Sequence, residues 1–177
     1  MPQSERHALV LGGGTMGVGI IAMFLGGGWK VDVVSRSAST RDGLPAATSR
    51  ALQAMGKSDD VSGLATYATL DEAPWSKIDI VVETVTEDLA LKQKIFADLE
   101  RLSRRGVPLT SNSSSFPISE MGKGLASQDR MMGLHFFMPA HLIPLVEVVR
   151  SVHTDVALAE KVGAIMSDLG KRPVQVK

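Results

Sequence analysis

The 177-residue chain has no cysteine. That excludes disulfides, thiolate zinc sites and a cysteine nucleophile, and it suits a reducing compartment, so a cytoplasmic location is expected. Net charge is also absent, because nineteen basic side chains balance nineteen acidic ones. With no field of one sign, a small-molecule partner is expected and nucleic acid or a membrane surface is not. Charge is missing locally from Ala8 to Trp29, a run long enough to cross a bilayer. Yet the run holds eight glycines, at positions 12, 13, 14, 17, 19, 26, 27 and 28, and it has neither the basic start nor the cleavage site of a leader. A strand, a glycine turn and a buried helix account for it better. No two histidines show helical ligand spacing, so no metal site is expected.

What is present is ordinary for one globular domain, with 44% hydrophobic and 21% charged residues. The opening residues are polar and expected to be irregular. "HALVL", "KVDVV", "IDIVVET", "GVPLTSN", "RMMGLHFF", "PLVEVV" and "RPVQV" have the composition of strands, most of them continuously apolar. Helices are expected over Thr15–Leu25, about Leu44–Met55, within "EDLALKQKIFADLERLSRR", briefly from Pro117, and over Asp155–Leu169. Strands alternating with helices predict an α/β fold of the doubly wound Rossmann type with a mainly parallel sheet, and residues 1–177 as one dinucleotide-binding domain.

Gly12, Gly14 and Gly17 form G-x-G-x-x-G between the first strand and the first helix. Gly12 allows the tight turn, Gly14 the close approach of a pyrophosphate, and Gly17 the packing of helix on strand. The free N–H groups at the helix start, at Thr15 and Met16, complete the phosphate site. NAD-binding domains end the second strand in an acid that holds the adenosine ribose. Here that position is Ser35, followed by Arg36, a pair that would hydrogen-bond and neutralise a 2′-phosphate, so these residues favour NADP. Asp32 lies three residues too early, and its side chain points to the wrong side of the strand.

His135 and Glu147 stand in adjoining apolar strands, joined by a turn with Pro139 and Pro144. Oxidation of an alcohol by hydride transfer needs a base for the hydroxyl proton. A histidine oriented by a carboxylate supplies it, and dry surroundings would strengthen the pair. A core histidine and a solvated edge glutamate explain the same residues, and His141 in the turn is a rival base. His7 and His153 look incidental.

Four stretches, "GGGTMGVGI", "VVETVTEDLALKQKIF", "SNSSSF" and "GLHFFMPAHLIPLVEVV", resemble the nucleotide-binding domain of the L-3-hydroxyacyl-CoA dehydrogenases, in that family's order and over nearly the whole chain. The resemblance implies that His135 is the catalytic base and Glu147 its partner. It implies that Ser114 hydrogen-bonds the reacting oxygen near the nicotinamide, and that Glu87 and Lys92 line the cofactor site. It implies NAD as the default cofactor, against which Ser35 and Arg36 stand. Met138 occupies the position of an asparagine that the family places near the nicotinamide, and methionine cannot donate that hydrogen bond. The segment from Ser35 to Ile78 is shorter than the family's helical insertion. The family's C-terminal helical domain, which makes its homodimer, would begin about where this chain stops. The expected activity is NAD(P)-dependent oxidation of an L-3-hydroxyacyl-CoA, or a related 3-hydroxy acid, to the 3-keto form, with little turnover from this chain alone. A dehydrogenase of a non-CoA 3-hydroxy acid of the sugar-acid or carnitine type, and a nucleotide-binding module without chemistry, are the alternatives.

Overall fold

A computed structural model describes residues 5–177. The first four residues of the polar opening lie outside the described residues. Eight strands form one sheet in the order β3-β2-β1-β4-β5-β6-β7-β8. These are β1 (His7–Leu11), β2 (Lys30–Val34), β3 (Leu64–Tyr67), β4 (Ile78–Glu83), β5 (Leu109–Ser111), β6 (Met131–Phe136), β7 (Leu145–Arg150) and β8 (Arg172–Val176). Among the described residues only the β6–β7 pair is antiparallel. The helices are α1 (Thr15–Gly26), α2 (Ala38–Ala54), α3 (Leu89–Leu102), α4 (Ile118–Met121) and α5 (Val156–Asp168). This is the doubly wound, mostly parallel architecture expected from the alternation of apolar strands with helices.

Side chains alternate across the sheet and build two cores. Val10, Val33, Val82, Leu134 and Val148 pack against α1 and α5 on one face. Leu9, Val81 and Leu109 pack against Phe96 and Leu99 of α3 and against α4 on the other. The chain runs from β1 outward to β3, then returns to lay β4 on the opposite side of β1. That reversal opens a crevice at the carboxyl ends of β1 and β4, where ligands bind in sheets of this type.

Two elements depart from the expectation. Helix α2 begins at Ala38, not near Leu44. Ser37 caps it by accepting a hydrogen bond from the Thr40 amide at 3.2 Å. Its buried face is Leu44, Thr48, Ala51 and Leu52, a stripe too polar and too small to stand out, and Pro45 within the helix obscures it further. Strand β3 was not expected at all. "LATY" is only half-buried, and it becomes a strand by pairing with β2 from Val31–Leu64 to Val34–Tyr67.

Candidate active site

A register row crosses the sheet near its carboxyl edge through Val34, Leu11, Glu83, Ser111 and Gly133. The segments that carry the candidate residues follow it directly: the β2 end at Ser35, the glycine turn at Gly12, the turn after Glu83, the serine loop after Ser111, and His135 two residues beyond Gly133. The parallel strands thus deliver distant sequence to one edge.

Gly12 has φ +101°, and a Cβ there would lie 2.8 Å from Thr84 Oγ1. Only glycine accepts that backbone without strain. A Cβ on Gly17 would collide with the Gly12 carbonyl, so glycine here lets the helix sit close to the turn. A Cβ on Gly14, the residue that opens α1, would meet nothing within 4 Å. No side chain caps α1 and no acid stands in its first turn. Its leading N–H groups, with Thr15 and Met16 behind Gly14, therefore suit a pyrophosphate. Gly13 is a further steric requirement, since a Cβ there would lie 2.7 Å from Thr40 Cγ2 of α2. Sequence spacing gave no sign of it, because its neighbour belongs to another helix.

At the end of β2 no carboxylate replaces Ser35, and Arg36 is exposed. Arg41, which sequence reasoning missed, folds back so that Nη1 donates to the carbonyls of Ser35 at 2.6 Å and Arg36 at 3.1 Å. A second guanidinium therefore stands at the end of β2. Asp32 is buried and engaged by His7 Nδ1 at 2.9 Å and by the Tyr67 hydroxyl at 3.0 Å. His7 is therefore part of a structural network.

His135 and Glu147 are direct partners in the β6–β7 ladder. His135 Nδ1 lies 2.9 Å from Glu147 Oε2. A carboxylate accepts, so Nδ1 carries the proton and Nε2 is the ring nitrogen left for a substrate. The ring also leans on Phe137 with centroids 4.8 Å apart. The pair was expected to be dry. Instead the two side chains retain 24% and 35% of their exposure, because they occupy the β6–β7 face opposite α5 and the short α4 covers it only in part. They open into a cleft of about 430 Å³ that Ser114, Phe116 and Gly133 also line. His141 is not part of that cleft. Its Nδ1 is buried without a hydrogen-bond partner among the described residues, and burial, then the nearby Lys171 ammonium, holds its pKa below the ordinary 6.5. Met138 is 65% exposed in the turn after β6.

Lys92 and Glu87 sit behind the cleft. Lys92 is 1% exposed, and its ammonium donates to both oxygens of Glu83, at 2.8 and 2.9 Å, and to the Val85 carbonyl at 3.2 Å. Glu87 accepts from the Ser113 hydroxyl at 2.7 Å. Glu83, fully buried at the end of β4, was missed by sequence reasoning. Its only signal was a carboxylate closing the apolar run Ile80–Val82.

A family model described as "3-hydroxyacyl-CoA dehydrogenase, NAD binding domain" matches residues 7–177. The chain belongs to that family. Among its curated relatives, a glyoxysomal fatty acid beta-oxidation multifunctional protein of Brassica napus is 32% identical over 99% of this chain and 25% of its own length. Among solved structures, FadB2 of M. tuberculosis superposes with a TM-score of 0.87 at 31% identity, covering 98% of this chain and 64% of that one. The 3-hydroxybutyryl-CoA dehydrogenase of Escherichia coli gives 0.87 at 27% identity, covering 97% and 38%. The chain thus spans about a quarter of the length of the curated relatives it matches. Membership of the 3-hydroxyacyl-CoA dehydrogenase NAD-binding family supports NAD(P) as the cofactor.

Proposed function

We propose that this chain is the dinucleotide-binding part of a dehydrogenase that interconverts an L-3-hydroxyacyl-CoA and its 3-keto form. The observation that carries the reading is the 2.9 Å contact between His135 Nδ1 and Glu147 in the cleft shared with Ser114. When bound, the nicotinamide supplies the hydride acceptor for the carbinol C–H. His135 takes the hydroxyl proton on Nε2, and Glu147 stabilises the imidazolium so formed. Ser114 donates to the reacting oxygen, and Glu87 and Met138 would flank the nicotinamide, whereas Lys92, buried against Glu83, could act there only indirectly. In reverse, His135 returns the proton to the 3-keto oxygen. The openness of the cleft supports a further proposal: that in the full protein additional chain covers β6 and β7, excludes water, holds the thioester and forms a homodimer. The greater length of the relatives agrees with this.

We propose NADP as the preferred dinucleotide. The absence of an acid at Ser35, the exposed Arg36 and the folded-back Arg41 support it, since charge-assisted bonds contribute about 1.5–3 kcal/mol.

One comparison favours a second reading. A dehydrogenase of 5-formyl-3-hydroxy-2-methylpyridine 4-carboxylic acid, described as NAD+ dependent, superposes with a TM-score of 0.86 at 26% identity. A free acid is therefore the alternative substrate class. The test is the ratio of kcat/KM for acetoacetyl-CoA to that for free 3-hydroxy acids, measured on the full-length gene product. Preference for the thioester supports the first reading and preference for the free acid the second. An absence of turnover on both, unchanged in His135→Ala, would leave a nucleotide-binding module.

A further inference from the structure

We infer that Glu83 is a positioning residue that aims Ser114 at the substrate through the serine loop, an inference that rests on the role proposed above for Ser114. Three consecutive residues of "SNSS" are tied down. The Ser111 hydroxyl donates to Glu83 Oε2 at 2.6 Å and accepts from the Ser113 amide at 3.1 Å. Asn112 Oδ1 accepts from the Phe136 amide at 2.9 Å, beside His135. The Ser113 hydroxyl donates to Glu87 and accepts from the Ser115 and Phe116 amides, both at 3.3 Å. The fourth residue, Ser114, makes no side-chain hydrogen bond to the described residues and lines the cleft with His135 and Glu147. A loop whose neighbours are all fixed and whose central hydroxyl is left uncommitted is preorganised for a ligand atom.

Glu83 anchors this arrangement. Its Oε1 also accepts from the Val85 amide at 2.6 Å, fixing the turn that carries Glu87. One buried carboxylate thereby holds both loops that grip Ser113, one through Ser111 and the other through Glu87. Lys92 neutralises it. A lone carboxylate at 0% exposure would be too costly to keep charged, so the lysine is what makes a rigid ionic anchor tenable there.

Glu83→Gln strands the Lys92 ammonium and risks misfolding. Ser111→Ala cuts the link between Glu83 and the loop while leaving the ion pair intact. In the full-length enzyme, Ser111→Ala is expected to speed amide exchange at Ser113, Ser115 and Phe116 about tenfold, with exchange in β1 and β4 unchanged. It is expected to lower kcat for acetoacetyl-CoA reduction about tenfold, with KM for the dinucleotide within about twofold. In a Ser114→Ala background the same change is expected to cost less than about twofold, because the group it aims is gone. Unchanged loop exchange, or an equal loss of kcat in both backgrounds, overturns the inference. A Ser114→Ala enzyme with wild-type kcat overturns instead the proposed role of Ser114, whatever the loop exchange shows.

Discussion

His135 and Glu147 face each other as register partners of the one antiparallel strand pair, with Nδ1 and Oε2 2.9 Å apart. The loop of residues 137–144 returns the chain antiparallel, so two residues twelve apart in sequence meet on the same face of the sheet. Adjacent strands hold both rotamers, and neither side chain depends on a mobile loop. In the full-length enzyme, His135→Ala is expected to lower kcat by about 10²–10⁴-fold while the dinucleotide Kd stays within about twofold. Glu147→Gln is expected to lower kcat by a smaller factor, since it leaves the ring in place and removes the charge that stabilises the imidazolium. Steady-state rates together with fluorescence titration of the reduced dinucleotide check both.

The β2 end predicts cofactor choice. Replacing Ser35→Asp together with Arg36→Ala puts a carboxylate where the ribose 2′-hydroxyl would lie and removes one guanidinium. The ratio of NADPH to NADH affinity is expected to fall about ten- to hundredfold. Arg41→Met alone is expected to lower NADPH affinity and leave NADH binding nearly unchanged. Separate titrations of the two reduced dinucleotides decide the matter.

Two glycines of one turn are expected to fail differently. Gly17→Ala drives a methyl into the Gly12 carbonyl. It is expected to destabilise the fold by about 1–3 kcal/mol, as overpacking does. Gly14→Ala meets open space on a backbone at φ −75°, which alanine tolerates. Stability is expected to change by less than about 1 kcal/mol while dinucleotide affinity drops, because the methyl occupies the path of the pyrophosphate. Urea unfolding set beside binding titration separates the two outcomes.

His141 predicts a pH dependence of stability. Burial, then Lys171, depresses its folded pKa below 6.5. Below pH 6.5 the unfolded chain takes up a proton that the fold refuses, so stability is complete above that pH and declines as pH falls towards the folded pKa. His141→Gln is expected to flatten the decline between pH 7 and pH 5, as read from thermal midpoints against the unaltered protein.

The sequence by itself determined the fold class and named most residues of the candidate site. The strand-glycine-helix run at its start has a single economical explanation, and continuous apolar strands between helices can only be buried in a covered parallel sheet. His135 and Glu147 were legible as polar residues in apolar strands, whereas Ser114 was implied by the family resemblance alone. Tertiary structure alone decided the rest. Strand β3 and the first turns of α2 carry weak local patterns; the strand forms because β2 lies beside it, and the helix starts where Ser37 caps it. The solvent access of the His135–Glu147 pair depends on which sheet face a helix covers. Glu83 shows no periodicity, and Gly13 and Arg41 act through neighbours that hydrophobic patterning leaves invisible. A sequence displays how apolar residues repeat along one chain, whereas contacts between a buried charge and its partners, or between a backbone and the next helix, exist only once the segments are packed together.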